Sequence, residues 1–438
     1  MAATKLTDKI TAVADAIREK TGKSEKMTLA EMPAEIAGIK TGGASKSYDV
    51  DDVTFYDFDG TIIYSCSMAD AQNLTELPAP PEHNGLVFQE WNWTLEQIKS
   101  SSVGADVGAM YDTEDGAVEI YVKINDEYQM NNISVTIGTT VNTNGSEKLP
   151  CPTIDWGDGT ETASSGDIET YKAFNHKYKN TGSYKIRIKK GSGSVFKIIP
   201  WGDTYGYSIF ASTESGWMGC IRKVVIGSDC VELGSYLFKG MRGLTEIVMH
   251  NNLMLPTSNS PFENCGISHV NVPAEQINLY NTFRDCKRLK SISVSGKTLL
   301  YQPVRGCVSV TRLVVPDSVS VIDSYSCYGC LSLRELKIGR GVWKIGSYAV
   351  ATDNIISKLS VPASVTRIEQ RGLAYMNEIK EYHFKSTTPP TMSSSGDVNI
   401  KTFGNVKTKI YVPAGCAEAY KSATNWAALA DYIIEEGK

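Results

Sequence analysis

Between residues 220 and 400 the chain repeats itself at a nearly constant interval, and few folds accept such a pattern. Short apolar segments recur as Val224-Val225-Ile226, Ile247-Val248-Met249, Val270-Asn271-Val272, Ile292-Ser293-Val294, Leu313-Val314-Val315, Leu336-Lys337-Ile338, Leu359-Ser360-Val361 and Tyr382-His383-Phe384. Their last residues stand 23, 23, 22, 21, 23, 23 and 23 positions apart. A unit this short cannot bury its own apolar stripe, so the units must stack, and stacking produces a solenoid with one continuous core. The same period governs the cysteines. Cys265, Cys286, Cys307 and Cys330 are separated by 21, 21 and 23 residues, which marks a recurring inward position rather than a disulfide framework.

The clearest copies are Val315-Pro316-Asp317-Ser318-Val319-Ser320-Val321-Ile322 running on to Cys330, and Val361-Pro362-Ala363-Ser364-Val365-Thr366-Arg367-Ile368. The period and this strand–proline–apolar-pair order resemble leucine-rich repeats of the BspA type found in bacterial surface antigens. Asn259 to Cys265 and Lys297 to Cys307 depart from it by lacking the small-aromatic turn. Residues 401–438, with Ile410-Tyr411-Val412-Pro413-Ala414-Gly415, Tyr420, Trp426 and Tyr432, resemble the helical cap of such arrays. The outward strand positions then carry Lys223, Glu246, His269, Ser291, Arg312, Glu335, Lys358 and Glu381. They form either a solvated sheet face of mixed charge or a ligand-reading surface. The aromatic-rich stretch Trp201 to Tyr207 reads as an exposed loop.

Ahead of the array, residues 129–198 alternate in period two, with Ile133, Val135 and Ile137, then Tyr184, Ile186 and Ile188. Trp156-Gly157-Asp158-Gly159 marks a turn, and Trp156 and Tyr178 are placed to fill the space between two sheets. The WGDG turn with His176-Lys177-Tyr178 resembles the polycystic-kidney-disease (PKD) domain, which implies an immunoglobulin-like β-sandwich. Asp155 and Asp158 are too few oxygens for calcium, and His176 reads as a packed strand residue.

Residues 47–128 hold a deceptive motif. Asp57-Phe58-Asp59-Gly60-Thr61 looks like the nucleophile loop of haloacid-dehalogenase-type phosphatases, whose two aspartates need a parallel α/β sheet and Mg²⁺. A second apolar run, Thr61-Ile62-Ile63-Tyr64-Ser65, follows at once, so Asp59-Gly60 reads instead as a two-residue hairpin turn. The stretch up to Trp93 resembles small β-grasp repeats of bacterial surface proteins, and also modules of phage tail proteins. Trp91 and Trp93 are expected half-buried, before a short helix over 94–100.

At the N-terminus, Leu6, Ile10, Val13 and Ile17 line one helical face, Gly22 ends it, and Thr28 with Glu31 has capping-box spacing for a second short helix ending near Gly38. Thr41-Gly42-Gly43-Ala44-Ser45 then reads as a linker. Residues 6–39 resemble a recurring N-terminal module of tail proteins from phages and prophages of Gram-positive bacteria. That resemblance implies docking of residues 1–40 to tail or baseplate proteins, a virion location and, by analogy with tail fibres, a homotrimer.

Together these features predict a mainly β, multidomain chain. Short helices occupy 1–42, a β-grasp-like module 47–128, a sandwich 129–198, a solenoid 199–400 and a cap 401–438. A net charge of −5 without a basic stripe excludes a nucleic-acid partner, and no apolar run approaches a membrane span. Five scattered histidines and no nucleophile or zinc motif predict neither enzyme nor metal nor cofactor. The expected role is tail-borne host recognition, binding a bacterial surface glycan or protein through Lys223, Glu246, His269, Arg312, Glu335, Lys358 and Glu381. The alternative is a bacterial cell-surface adhesin.

Overall fold

The computed structural model describes residues 53–437, apart from 127–132, 139–148, 164–165, 169–170, 192–194, 201–218, 257–259, 275, 277–278, 296–301, 352–353, 394–402 and 405–406. The readings placed on residues 1–42, on the 41–45 linker and on Trp201 to Tyr207 therefore lie outside the described residues.

Residues 53–113 build a mixed four-stranded sheet. β1 (Val53–Tyr56) turns back into β2 (Ile62–Cys66), α1 (Met68–Gln72) leads to β3 (Leu86–Trp91), and α2 (Leu95–Ser100) leads to β4 (Ala105–Thr113). The strand order is β2-β1-β4-β3, with β1 parallel to β4 and the outer pairs antiparallel. Thr94 and Gln97 close a reciprocal capping box at the start of α2, which ends the preceding loop at a fixed point.

The DFDGT stretch does form a hairpin, but its loop is longer than the two-residue turn expected. Strand pairing stops at Tyr56 and Ile62, and Asp57 to Thr61 lie between. The cause is side-chain capping of the loop's own amides. Asp57 Oδ1 accepts from Phe58 N at 2.8 Å, and Asp59 Oδ1 accepts from Thr61 N at 2.8 Å. Asp57 is buried and its other oxygen meets His83 Nε2 at 2.8 Å. Trp91 and Trp93 are fully buried rather than half-buried, at 6% and 5% exposure. Trp91 caps the module core by standing edge-on to Phe55 at 5.1 Å.

β5 (Val118–Ile124) continues the chain after a turn at Gly116, and it leaves the first sheet. Two sheets follow. The strands are β6 (Ile133–Gly138), β7 (Leu149–Pro150), β8 (Thr153–Asp155), β9 (Glu161–Ala163), β10 (Asp167–Ile168), β11 (Tyr171–His176), β12 (Gly182–Lys189) and β13 (Phe196–Ile199). Between the layers lie Trp156 and Tyr178, both buried, and the Tyr178 hydroxyl donates to Trp156 O at 2.7 Å. His176 stacks on Trp156 at 4.7 Å and reaches Asp158 Oδ2 at 2.9 Å. Asp155 Oδ1 and Asp158 Oδ1 serve the turn, accepting from Gly157 N and Thr160 N.

The solenoid strands are β14 (Ile221–Ile226), β15 (Cys230–Leu233), β16 (Glu246–Met249), β17 (His269–Asn271), β18 (Ser291–Ser293), β19 (Arg312–Val315), β20 (Val321–Ile322), β21 (Glu335–Ile338), β22 (Lys344–Ile345), β23 (Lys358–Val361), β24 (Arg367–Ile368), β25 (Glu381–Phe384) and β26 (Thr391–Met392). All eight segments read from the sequence are strands of one face. The recorded pairings between them are parallel: β14 with β16, β17 with β18, β19 with β21 and β23 with β25. The short strands β20, β22, β24 and β26 make a second parallel ladder. The C-terminal end is more than a helical cap. β27 (Lys409–Val412) and β28 (Ile433–Glu435) extend the main sheet, while α3 (Ala417–Ser422) and a 3-10 turn over Ala427–Tyr432 close the core with Tyr420 and Trp426.

The two-sheet segment is not a bead ahead of the array. β14 pairs antiparallel with β5, and β5 with β12, so one sheet runs β16-β14-β5-β12-β8-β9. β15 pairs with β13 and thereby extends the other sheet, β11-β6-β13-β15. Val118, Ile120 and Ile186 accordingly share one apolar core with Ile221, Val224 and the inward residues of the solenoid as far as Ile433. Among the described residues no helix is long and apolar enough to cross a membrane.

Inside the solenoid the cysteines form a ladder of thiol-to-carbonyl bonds. Cys265 Sγ lies 2.9 Å from Phe238 O, Cys286 3.0 Å from Phe262 O, Cys307 3.0 Å from Phe283 O and Cys330 3.2 Å from Val304 O. All ten cysteines are free thiols, and burial pushes Cys286 and Cys327 up to about 12. Such thiols lack the thiolate needed to react. Alkylation of the native chain with iodoacetamide is expected to modify half-exposed Cys416 first. The four ladder thiols should stay unlabelled by mass spectrometry until denaturant is added.

Candidate functional site

Side chains alternate along each solenoid strand, so every strand offers two outward positions rather than the single one read from the sequence. One column holds Lys223, Glu246, His269, Ser291, Arg312, Glu335, Lys358, Glu381 and Lys409. The other holds Val225, Val248, Asn271, Ser293, Val314, Lys337, Ser360, His383 and Tyr411. The first half of this face is already occupied. The sheet of residues 53–113 lies across it, and Val225 and Val248 are built into that module's core beside Phe55 and Tyr111.

The covered zone is held by polar groups that find partners across the seam. Asn92, 1% exposed, donates to Val272 O and Ser293 Oγ at 2.9 Å each and accepts from Gly108 N at 2.7 Å. Ser293 Oγ donates to Asp106 O, and Ser295 Oγ donates to Asn92 O. Asn271 Nδ2 donates to Ala109 O at 3.1 Å. Gly108 permits this approach, since a Cβ there would stand 2.3 Å from the Asn271 side chain. Further along, Asp317 accepts from Ser102 N, and Asn251 Nδ2 donates to Glu90 Oε1 at 2.7 Å.

The seven candidate residues therefore divide. Lys223 is inside the seam, with Nζ 4.5 Å over the Phe58 ring and 3.3 Å from Glu246. His269 is 3% exposed and Arg312 9%. Arg312 Nε faces Asp106 Oδ1 at 3.3 Å and its Nη1 faces Glu335 Oε2 at 3.3 Å. Burial pushes the Asp106 carboxyl up even though Arg312 and Lys337 pull it down. Glu335 stands at the margin with a side chain 23% exposed, while Glu246, Lys358 and Glu381 remain open at 44%, 60% and 38%.

The open strip is organised around His383, a residue the sequence reading did not single out. Its ring stacks on Tyr411 at 4.7 Å, its Nε2 reaches Glu381 Oε2 at 3.0 Å and its Nδ1 reaches Glu436 Oε1 at 3.1 Å. Lys385 Nζ meets Glu436 at 2.6 Å and Lys358 Nζ meets Glu381 at 3.5 Å. The His383 bond, with Lys358 nearby, holds the Glu381 carboxyl below its usual range, and the Lys385 bond does the same for Glu436. This is a strip of fixed alternating charges beside one aromatic stack, able to dock a surface of complementary charge. Among the described residues no group of three or more His, Cys, Asp or Glu could hold a metal ion.

Comparison with known proteins agrees with this architecture at the level of the repeat. Residues 216–302 and 304–416 match the family described as BspA type leucine rich repeat region, in six copies, so the chain carries BspA-type leucine-rich repeats. No curated protein matches the chain. Among solved structures, a leucine-rich repeat protein from Bacteroides ovatus is 14% identical over 51% of this chain and 68% of its own, with a TM-score of 0.34. One from Eubacterium ventriosum is 18% identical over 46% of this chain and 51% of its own, also at 0.34. A leucine rich cell surface protein from Faecalibacterium prausnitzii is 10% identical over 57% of this chain and 92% of its own, at 0.17.

Proposed function

We propose that the chain is a non-enzymatic recognition protein of adhesin type, which docks a macromolecule at a cell surface through the open end of its BspA-type solenoid. The observation that carries this reading is the division of the sheet face. The small module covers its first half, whereas Lys358 and Lys409 are left exposed, and Glu381, His383 and Tyr411 partly exposed, on a parallel sheet. Repeat solenoids use such faces as extended binding surfaces, which supports the same view. We read the four-stranded module as β-grasp-like from its parallel β1–β4 pair, and the two-sheet segment as immunoglobulin-like. Both then act as platform and spacer.

The test uses the full chain on a panel of Gram-positive cells, with Glu381→Lys and Tyr411→Ala as face variants. Binding to at least one cell type is expected, with each variant at least about tenfold weaker, equivalent to about 1.4 kcal/mol. Undiminished binding by both variants refutes the strip as the docking surface. A second reading, a host-recognition component of a phage tail, is favoured by the resemblance of residues 6–39 to tail-protein N-termini. It requires that deleting residues 1–40 abolish co-assembly with tail proteins and that sedimentation report a trimer.

A further inference from the structure

In linear order the chain shows no run of basic residues, but stacking at a period of 21–23 residues assembles one along a flank of the solenoid. The positions just ahead of the first outward column are Arg222, Thr245, Ser268, Lys290, Thr311 and Arg334. The backbone makes them neighbours. Thr245 N donates to Arg222 O at 2.9 Å, Lys290 N to Ser268 O at 2.9 Å, Thr311 N to Lys290 O at 3.3 Å and Arg334 N to Thr311 O at 2.9 Å. The turns feeding these strands add Arg242, Lys287 and Arg288, and all six cations are exposed. The six strands concerned span roughly 24 Å at ~4.8 Å per strand.

Among the described residues none of these six cations makes an ion pair. The acids nearby are already engaged: Glu246 with Lys223 at 3.3 Å, Glu263 with Lys239 at 3.4 Å and Glu335 with Arg312 at 3.3 Å. The turns 241–245, 265–268, 286–290, 307–311 and 330–334 contain no acid, and Asp353 and Glu378 in the next two end the basic run. Like charges held side by side without counterions create a positive potential along this flank, although the chain as a whole carries −5. Between the cations stand Ser268 and Thr311, whose hydroxyls make no hydrogen bond among the described residues. Lysine, arginine and hydroxyl donors together suit phosphate oxygens. No aromatic side chain lies in these five turns, so neither a nucleobase nor a sugar ring finds a stacking platform. The chemistry that fits is a chain whose charge sits on its linkages and which needs no ring contact.

We propose that this flank is a docking surface for a linear polyol phosphate, a surface polymer joined by phosphodiester links, laid across the starts of the solenoid strands. Its successive phosphates meet Arg222, Arg242, the Lys287–Arg288–Lys290 cluster and Arg334 in turn. The site is separate from the open strip of Lys358, Glu381 and His383, and it stands whether or not that strip reads a cell.

The test titrates the full chain with labelled poly(glycerol phosphate), hyaluronan and single-stranded oligothymidylate of matched total charge, read by fluorescence anisotropy. Saturable binding of poly(glycerol phosphate) is expected at about 10 µM in low salt, with the other two at least about fivefold weaker. Raising salt from about 50 to about 200 mM should weaken it at least about thirtyfold, as ~4 neutralised phosphates require. Lys287→Ser, Arg288→Ser and Lys290→Ser combined should cost at least about tenfold, and Lys358→Ser on the open strip should change nothing. The circular dichroism melt should stay unchanged in both, because the replaced side chains are exposed. No saturable binding, equal binding of hyaluronan or oligothymidylate, or unchanged binding by the triple variant overturns the proposal. Loss of the polymer in Lys358→Ser overturns it too, since the polymer would then lie on the open strip. Cell binding through Glu381 and Tyr411 is read separately, so failure of the flank leaves that reading standing.

Discussion

A fragment spanning residues 200–438 is expected to be aggregated or molten, although it contains the whole repeat array. Cutting there removes β5 from the edge of β14 and β13 from the edge of β15. It also strips the module from Val225 and Val248, which are 1% exposed in the intact chain. Losing Val118, Ile120, Val122 and Ile124 alone forfeits about 6–12 kcal/mol at ~1.5–3 kcal/mol for each fully buried side chain. A domain's whole stability is only about 5–15 kcal/mol, and a solenoid needs a cap on each end. Urea unfolding followed by circular dichroism, with dye binding to exposed apolar surface, distinguishes the cases. The full chain should give a cooperative transition and little dye signal, and the fragment the reverse. A monodisperse fragment with a sharp transition would mean that the two-sheet segment is an appendage after all.

The contrast shows which parts of this chain are legible from residues alone. A solenoid is built from contacts one period apart, so the spacing from Val224 to Phe384 encodes its geometry directly, and the period also carries the inward cysteines. Turns are equally local: Gly159 marks the sandwich turn, and Asp57 and Asp59 mark the hairpin, although their capping bonds lengthen it. The pairing of β5 with β14 is different in kind. It joins Ile120 to Val224 across roughly a hundred residues, and register at that distance leaves no periodic trace.

That part of the outward sheet face is covered was not legible for a related reason. Its first outward column is polar along its whole length, which reads as solvated or ligand-facing. Arg312 is polar because it answers Asp106 of the other module, and His269 because Ser291 and Asn271 hold its ring beneath Tyr56, not because they meet water. A signal existed in the second column. Val225 and Val248 are outward yet apolar, and Asn271 and Ser293 follow them, so a cover with backbone carbonyls to satisfy could have been anticipated. The open strip gave no such warning, because His383 acquires its role only when Glu436, from the last strand's end, comes beside it.

Acidification from pH 6.5 to 4 is expected to weaken the seam through His269. Asn271 Nδ2 donates to Ala109 O, so its Oδ1 accepts from His269 Nε2–H at 2.7 Å, and His269 Nδ1 is left to accept from Ser291 Oγ at 2.6 Å. That arrangement requires a neutral ring, and burial pushes His269 down to about 4, opposed by the Asn271 bond and by Asp59. The folded pKa lies below the unfolded value of about 6.5, so the unfolded chain binds more protons in this window and stability falls as pH drops through it. At 1.36 kcal/mol per unit the loss reaches about 3 kcal/mol at pH 4 and is complete only below it. Other groups titrate as well: Asp106, raised by burial, works in the opposite direction, and Asp59, lowered, in the same one. Comparing the wild type with His269→Gln removes these shared contributions. In urea titrations the wild type should be the more stable at pH 7, and its advantage should shrink by about 3 kcal/mol by pH 4. A gap that stays constant over that range would show that His269 is protonated as readily in the seam as in the unfolded chain.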